Sequence, residues 1–209
     1  MQHDYQKQKE LMIETLKNFP WHDKIAFGDY LAQTYYYVTH SERLLALAGG
    51  LMNDSDRMMQ RRFFKHLSEE NSHDLMVKKD LENLGYSLSD FPERPETKIF
   101  WETQYYKIEH IDPAALMGYI LLLEDVASSV CIWIYQQIEK NRGKNCGTFL
   151  RVHGEEDPGH VSAAKSVIHS LSKERQEVIF MNLRQSEIAY RRMIEAVMDD
   201  QERWLKTAA

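Results

Sequence analysis

Residues that break helices are sparse in this chain, and this constrains its fold more than any other feature. Nine glycines and five prolines interrupt 209 residues, and between them the apolar residues recur at helical spacing nearly everywhere. The pattern predicts an all-α protein, a single bundle of about seven helices that forms one domain over residues 1–209, with its core at about 21–205.

Glycines, prolines and polar capping residues bound the predicted helices. We predict helices at about 4–18, 21–50, 53–84, a short stretch that ends near 108, 112–140, 146–170 and 172–204. The fifth should begin at Asp112-Pro113, with the aspartate as cap and the proline at the first position. Because this helix is apolar on nearly every side, it should be the buried centre of the bundle.

Composition excludes several function classes. The net charge of −6 and the isoelectric point near 5.9 argue against binding of nucleic acid through phosphate neutralisation. Two cysteines are too few for a disulfide framework, and the polar N-terminus, with no apolar run behind it, predicts no signal peptide. The longest apolar run is broken by Glu124 and Asp125 and is too short for a bilayer, so we expect a cytoplasmic protein without a membrane partner.

The sixth predicted helix carries two histidines and an aspartate on one face. His153, Asp157 and His160 lie at i, i+4 and i+7, within roughly 60° of one another at about 100° per residue. Each side chain would need a partner once buried, but neutral imidazoles and a carboxylate suit iron, manganese or zinc. A solvated helix with two unrelated histidines is the alternative interpretation of this triplet alone.

The third predicted helix carries a second candidate pair. Glu70 and His73 form the Glu-x-x-His arrangement with which bundle metalloproteins project two ligands inward. His66 lies one turn earlier on the same face. The segment is also rich in glutamate, serine and asparagine, so a polar outer surface is the alternative.

The predicted central helix contains two carboxylates in an otherwise apolar stretch. An unpaired carboxylate there would cost several kcal/mol or be held neutral, whereas a bound cation removes that cost. A buried salt bridge is the alternative, but no lysine or arginine lies between Lys107 and Lys140, so its cation would have to come from another helix. We favour Glu124 as a ligand, and Asp125 points about 100° away from it.

Together these helices offer three carboxylates and three histidines: Glu70, His73, Glu124, His153, Asp157 and His160. Two first-row metal ions with mixed nitrogen and oxygen ligands and open positions would use all six. A structural zinc site would instead be closed and tetrahedral, usually with cysteine. The set therefore favours redox-active iron, two ions per chain, with manganese as the other candidate.

The order of these residues resembles that of the heme-oxygenase-like di-iron oxidases and oxygenases. These are seven-helix bundles related in fold to heme oxygenase and to the TenA proteins. The likeness extends from about Trp21 to Trp204, and it includes the aromatic second helix around Tyr35-Tyr-Tyr-Val-Thr-His and the approach from Gly118-Tyr119 to Glu124.

This resemblance implies that one iron is held by Glu70, His73 and His153 and the other by Glu124, Asp157 and His160, with one glutamate bridging. It implies an enzyme, with the three carboxylates acting in catalysis, that activates dioxygen at the reduced iron pair. The substrate would be a small amine- or carboxylate-bearing molecule, changed by N-oxygenation, C–C or C–N cleavage, or desaturation.

One branch of the family makes p-aminobenzoate from its own tyrosine and has a lysine after the central glutamate, but residues 126–138 contain none. We also expect a homodimer.

Two other functions stay open. TenA-type thiaminases use a nucleophilic cysteine, and Cys131-Ile-Trp-Ile-Tyr135 resembles its setting. They also need an aspartate after the glutamine of the second helix, where this chain has Gln33-Thr34, and a C-terminal glutamate, for which Asp200 is the nearest candidate. The third hypothesis is a non-enzymatic bundle whose metal serves only folding or partner binding.

Overall fold

A computed structural model describes the backbone of residues 2–207 and the side chains of residues 5–200. Over that part of the chain the protein is helical without strands, as predicted. The helices are α1 (Gln2–Asn18), α2 (Lys24–Val38), α3 (Ser41–Leu51), α4 (Arg57–Glu69), α5 (His73–Asn83), α6 (Pro95–His110), α7 (Leu116–Arg142), α8 (Thr148–His169) and α9 (Lys173–Thr207).

The seven predicted helices are confirmed, but the second and third are each divided in two. The second breaks at Thr39-His40, between α2 and α3. The third breaks between α4 and α5, where Ser72 adopts the left-handed conformation with φ of 69°. Because an L-residue in that conformation cannot continue a right-handed helix, Glu70 becomes the cap of α4 and His73 the first residue of α5.

Polar caps fix where the central elements begin. Asp23 accepts hydrogen bonds from the backbone N–H groups of Ile25 and Ala26 at the start of α2. Asp112 caps a short 3₁₀ turn that opens with Pro113 and leads directly into α7, as its sequence predicts. Asp80 of α5 accepts from the backbone N–H of Phe149 at 2.8 Å, which ties α5 to the start of α8.

Helix α7 lies at the centre of the bundle, in close contact with α8 and α9. A methyl group at Gly118 would lie 2.1 Å from the Ile179 carbonyl oxygen of α9, so only glycine permits this approach. A methyl group at Gly154 of α8 would likewise lie 2.7 Å from the Ile132 side chain of α7. The two glycines therefore set how closely α8 and α9 approach the central helix.

The stretch Pro113–Arg142 is long and apolar enough by length and composition to cross a membrane, although the sequence was expected to offer no such span. Its most apolar window is 72% buried inside the protein. The apolar character of this stretch is therefore accounted for by its place at the centre of the bundle.

Candidate metal centre

Four helices bring the predicted metal ligands to one place in the bundle. Glu70 and His73 lie at the turn between α4 and α5, Glu124 on α7, and the other three on α8. Two further side chains of α4, His66 and Glu69, join them. The cluster contains two groups of three residues, each with ligand atoms within 4.8 Å of one another.

The first group is Glu70, His73 and His153. The Glu70 Oε2 lies 3.4 Å from the His73 Nδ1. The centroids of the His73 and His153 rings are 4.8 Å apart. The Phe149 ring packs against His153 at 4.3 Å and limits its movement. These are the three residues that the family resemblance assigned to one iron.

The second group is His66, Glu69 and His160. The Glu69 Oε2 lies 3.6 Å from the His66 Nδ1 and 3.7 Å from the His160 Nε2. Glu124 adjoins this group, with its Oε1 at 3.4 Å from the His66 Nδ1 and 3.8 Å from the His160 Nδ1. The site expected to hold Glu124, Asp157 and His160 thus also contains two ligand-type side chains from α4.

Asp157 connects the two groups. Its Oδ2 lies 3.2 Å from the His153 Nδ1, and its Oδ1 lies 3.3 Å from the His160 Nδ1. Burial lowers the pKa of His153, but the hydrogen bond with Asp157 and the nearby negative charges together outweigh it, so the pKa lies above the usual value. The same carboxylate raises the pKa of His160. Asp157 therefore orients both imidazoles, the role that carboxylates commonly have beside metal-binding histidines.

Several ligand-type atoms of the cluster are buried without a hydrogen-bond partner among the described residues. They are the His66 Nδ1, Glu69 Oε2, His73 Nδ1, Glu124 Oε2 and His153 Nε2. A buried polar atom without a partner costs free energy, and native proteins contain few of them. Imidazole nitrogen and carboxylate oxygen are ligands of iron and manganese, so metal ions at these two groups would satisfy these atoms.

A buried arginine on α4 also contacts the cluster. The Arg62 Nη2 lies 3.3 Å from the Glu124 Oε1, and its Nη1 lies 3.6 Å from the Glu69 Oε2. The salt bridge considered as the alternative for Glu124 thus exists, with its cation from another helix. Burial nevertheless raises the pKa of Glu124 to about 7, despite the opposing effects of His66 and Arg62. Arg62 alone does not compensate this carboxylate.

The neighbouring carboxylate, Asp125, has other partners. It accepts hydrogen bonds from Tyr5 and from Lys9 of α1, the latter at 2.8 Å, and from Lys165 of α8 at 3.1 Å. These contacts attach α1 and α8 to the central helix. Asp125 therefore has a structural role that the sequence did not reveal.

Sequence reasoning left Glu69 and Arg62 out of the site and did not count His66 among the ligands. The signal for His66 was present, since it lies one turn before Glu70. Glu69 looked like part of a charged surface segment, and its side chain is in fact partly exposed. The break at Ser72 hid the geometry, because a single straight helix would not have presented Glu69, Glu70 and His73 as observed.

A cavity borders the cluster on one side. It is lined by His66, Glu70, Glu124, His153 and Asp157, and otherwise by uncharged side chains, most of them aliphatic or tyrosine. Its volume is about 80 Å³. Burial and the nearby Glu70 carboxylate raise the pKa of Tyr119, which also lines it, well above the usual range. The cluster therefore faces a small cavity with a protonated phenol beside it.

The iron-containing redox enzyme family has a model that matches residues 28–190. This chain belongs to that family. A solved domain of unknown function from Shewanella denitrificans OS217, with a heme oxygenase-like fold, is similar at 20% identity and a TM-score of 0.83, over 96% of this chain and 92% of that one. A TenA homolog from Pseudomonas syringae pv. tomato DC3000 is similar at 13% identity and a TM-score of 0.74, over 94% and 92% of the two chains. No curated protein matches the chain.

These likenesses confirm the predicted heme oxygenase-like fold. Within this fold, the residues considered for TenA-type hydrolysis have the following surroundings. Cys131 lines the same cavity, but burial raises the pKa of its thiol far above the usual value. Gln33 bonds to Asp29 and Thr97 and accepts from the backbone N–H of Arg94. These contacts give Gln33 a structural role within the bundle of this family member.

Asp200, the other candidate for a TenA-type acid, pairs with Arg94 at 2.6 Å. Arg94 also binds Asp29 of α2. The pair thus links α9 to α2 through the loop before α6, and Asp200 is not among the residues that line the cavity beside the cluster.

Proposed function

We propose that this chain is a di-iron oxidase or oxygenase that oxidises a small amine- or carboxylate-bearing molecule with dioxygen. The family supports iron and redox chemistry in general terms. The observation that carries the finer proposal is the set of five buried ligand-type atoms without a hydrogen-bond partner among the described residues. Two of them lie in each of the two adjacent groups, and the fifth is the Glu124 Oε2 beside the second group. Two ions, rather than one, account for both groups.

The residues present divide the work of such an enzyme. Glu70, His73 and His153 would hold one iron, and His160 with Glu124, Asp157 and the α4 side chains His66 and Glu69 would hold the other. Bound iron would supply the reduced metal that activates dioxygen. Asp157 holds two imidazoles in orientation, and aliphatic side chains line much of the space in which a substrate would lie.

The two alternative functions receive less support. A thiaminase-type hydrolase would use Cys131 as nucleophile, but a thiol whose pKa is raised by burial holds little thiolate at neutral pH. A purely structural metal site would be closed by protein ligands on all sides. Here the cluster opens onto a cavity, which favours a site where a substrate binds.

Anaerobic metal titration tests the proposal. Metal-free protein is titrated with Fe(II) under argon, and bound iron is quantified per chain. We expect two ions per chain and, after air is admitted in the presence of a substrate, oxygen consumption with a transient visible absorption. His73→Ala and His66→Ala should each lower the stoichiometry to about one ion, because each removes a ligand from one group.

The control is His110→Ala, which removes an exposed imidazole at the end of α6 and should leave two ions bound. A chain that binds no iron, yet hydrolyses an aminopyrimidine in a reaction lost in Cys131→Ala, would support the thiaminase alternative instead. Tight binding of metal without any oxygen consumption across a panel of amines and carboxylates would favour the structural alternative.

A further inference from the structure

His66 is a histidine whose two ring nitrogens face different metal groups. Its side chain on α4 is 5% exposed, and its ring packs against that of His160, with 5.5 Å between centroids. The His66 Nε2 lies 3.3 Å from the Glu70 Oε1 of the first group. The other ring nitrogen, Nδ1, lies 3.4 Å from the Glu124 Oε1 and 3.6 Å from the Glu69 Oε2. One buried imidazole therefore lies between the two groups and contacts both.

The carboxylate of Glu70 is held from two sides. Its Oε1 faces the His66 Nε2, whereas its Oε2 lies 3.4 Å from the His73 Nδ1 within the first group. The Glu70 side chain is only 11% exposed, so these two imidazoles, rather than water, are its main polar neighbours. The contact with His66 therefore determines the rotation of the carboxylate and leaves its Oε2 for the first group.

The surroundings of the His66 Nδ1 indicate which nitrogen would bind metal. A neutral imidazole has one N–H donor and one nitrogen with a free lone pair. The Nδ1 is buried beside two carboxylate oxygens and has no hydrogen-bond partner among the described residues. If a metal ion of the second group takes the Nδ1 lone pair, the ring proton lies on Nε2, which faces the Glu70 Oε1.

Histidines that bind metal commonly donate their other ring N–H to a carboxylate, which orients the ring. In this chain that carboxylate, Glu70, itself belongs to the other metal group. The same hydrogen bond would thus orient a ligand of each group, His66 for the second and Glu70 for the first.

We propose that His66 is a positioning residue shared by the two groups, which binds metal through Nδ1 and orients Glu70 through its Nε2–H. The inference rests on the proposed function, since it concerns the same metal centre, and it adds that one ring couples the two groups. Loss of the ring should therefore also weaken binding of the ion in the first group, of which His66 is not a ligand. Partners of this kind change metal affinity about 10- to 100-fold.

Competition titrations with a chelator measure this effect on the full chain, with Zn(II) as the probe. His160→Ala is the matched control, because it also removes an imidazole from the second group but leaves His66 and Glu70 in contact. We expect one ion per chain in both His66→Ala and His160→Ala. The dissociation constant of that ion should be about 10- to 100-fold higher in His66→Ala than in His160→Ala.

His66→Gln separates positioning from mere loss of the ring. A glutamine can place its amide nitrogen near the position of the histidine Nε2 and donate to Glu70, but it offers no nitrogen at the position of Nδ1. The dissociation constant of the remaining ion in His66→Gln should therefore lie near that of His160→Ala. Denaturant unfolding of the metal-free variants checks that all are folded, and His66→Leu, which fills more of the space without a donor, replaces His66→Ala if the latter is not.

Nitrogen NMR of the histidine rings gives a readout that does not depend on affinity. In the ¹⁵N-labelled chain loaded with Zn(II), the ring signals that disappear in His66→Gln identify His66. We expect its Nδ1 to bind zinc and its Nε2 to carry the proton. Zinc on Nε2 would overturn the proposal, as would equal dissociation constants in His66→Ala, His66→Gln and His160→Ala.

The two proposals can fail separately. Two bound irons in the native chain, with equal affinity for the remaining ion in His66→Ala and His160→Ala, would refute only the role of His66. Coupled binding of two ions by a chain that consumes no oxygen with any amine or carboxylate would support that role and refute the oxidase.

Discussion

Glu124 and Asp125 are adjacent buried carboxylates whose surroundings give them opposite tasks. Glu124 faces the cluster with one oxygen bound by Arg62 and the other without a hydrogen-bond partner, whereas Asp125 is bound by Tyr5, Lys9 and Lys165. We expect Glu124→Gln to lower iron binding to about one ion per chain and to destabilise the metal-free protein less than Asp125→Asn does, because burial already favours the protonated form of Glu124 beside Arg62. Asp125→Asn should retain two ions but lose about 2–3 kcal/mol of stability, because it leaves two lysines without their partner.

Iron analysis and denaturant unfolding of both variants measure this pair of effects, and each variant is the control for the other. If Asp125→Asn lost iron at unchanged stability, the division of tasks between the two residues would be wrong.

Protonation of the cluster predicts how metal affinity depends on pH. Glu124 has a pKa raised to about 7 by burial, and Asp157 raises the pKa of His160. These groups must lose their protons to bind metal, so affinity should fall as the pH falls below about 7, by about tenfold or more for each pH unit. Metal titrations at pH 6, 7 and 8 measure the slope, and Glu124→Gln should reduce it by about one proton. A flat profile from pH 6 to 8 would contradict this assignment.

At the scale of the element, α8 is a helix whose sequence disfavours a helix. Gly154, Pro158 and Gly159 lie within it, yet it continues from Thr148 to His169. Gly154→Ala should destabilise the protein by about 1–3 kcal/mol, because the added methyl group meets Ile132 of α7, including its backbone nitrogen at 3.0 Å. Gly159→Ala, with nothing within 4 Å, should stabilise it by about 0.5–1 kcal/mol.

Thermal or denaturant unfolding compares the stabilities of the two alanine variants. Metal titration shows whether Gly154→Ala, by displacing α8 from α7, also weakens metal binding. Equal effects of the two substitutions would mean that contact with α7 does not determine where α8 lies.

Sequence periodicity predicted the helices well but not the places where two of them break. The break at Ser72 needs a left-handed backbone at a serine, for which no glycine or proline gives a signal. Helical spacing predicted that His153, Asp157 and His160 share a face, because that relation is local. The approach of Arg62, Lys9 and Lys165 to the two carboxylates of α7 depends on packing between distant segments, and one sequence does not reveal it.

For the molecule as a whole, the continuous helical pattern made the all-α bundle predictable, and the resemblance in the order of the candidate ligands made the heme oxygenase-like architecture predictable. Of the six assigned ligands, Glu70, His73, His153 and His160 lie in the two observed groups, and Glu124 and Asp157 adjoin them. Metal binding by all six stays a prediction. The expected homodimer and cytoplasmic location also stay predictions, because surface composition alone does not determine either. Sedimentation of the purified chain would measure the first.

The turn at Ser72 gives metal binding a topological consequence. Glu70 and His73 lie on the two sides of this turn, and His153 lies much further along the chain. An ion bound by all three would therefore act as a reversible cross-link between three segments, closing a long loop of the chain. By mass action, free metal at 100 times its dissociation constant would add about 2.7 kcal/mol to the free energy of unfolding. The lifetime of the folded chain would then follow the metal supply of its surroundings.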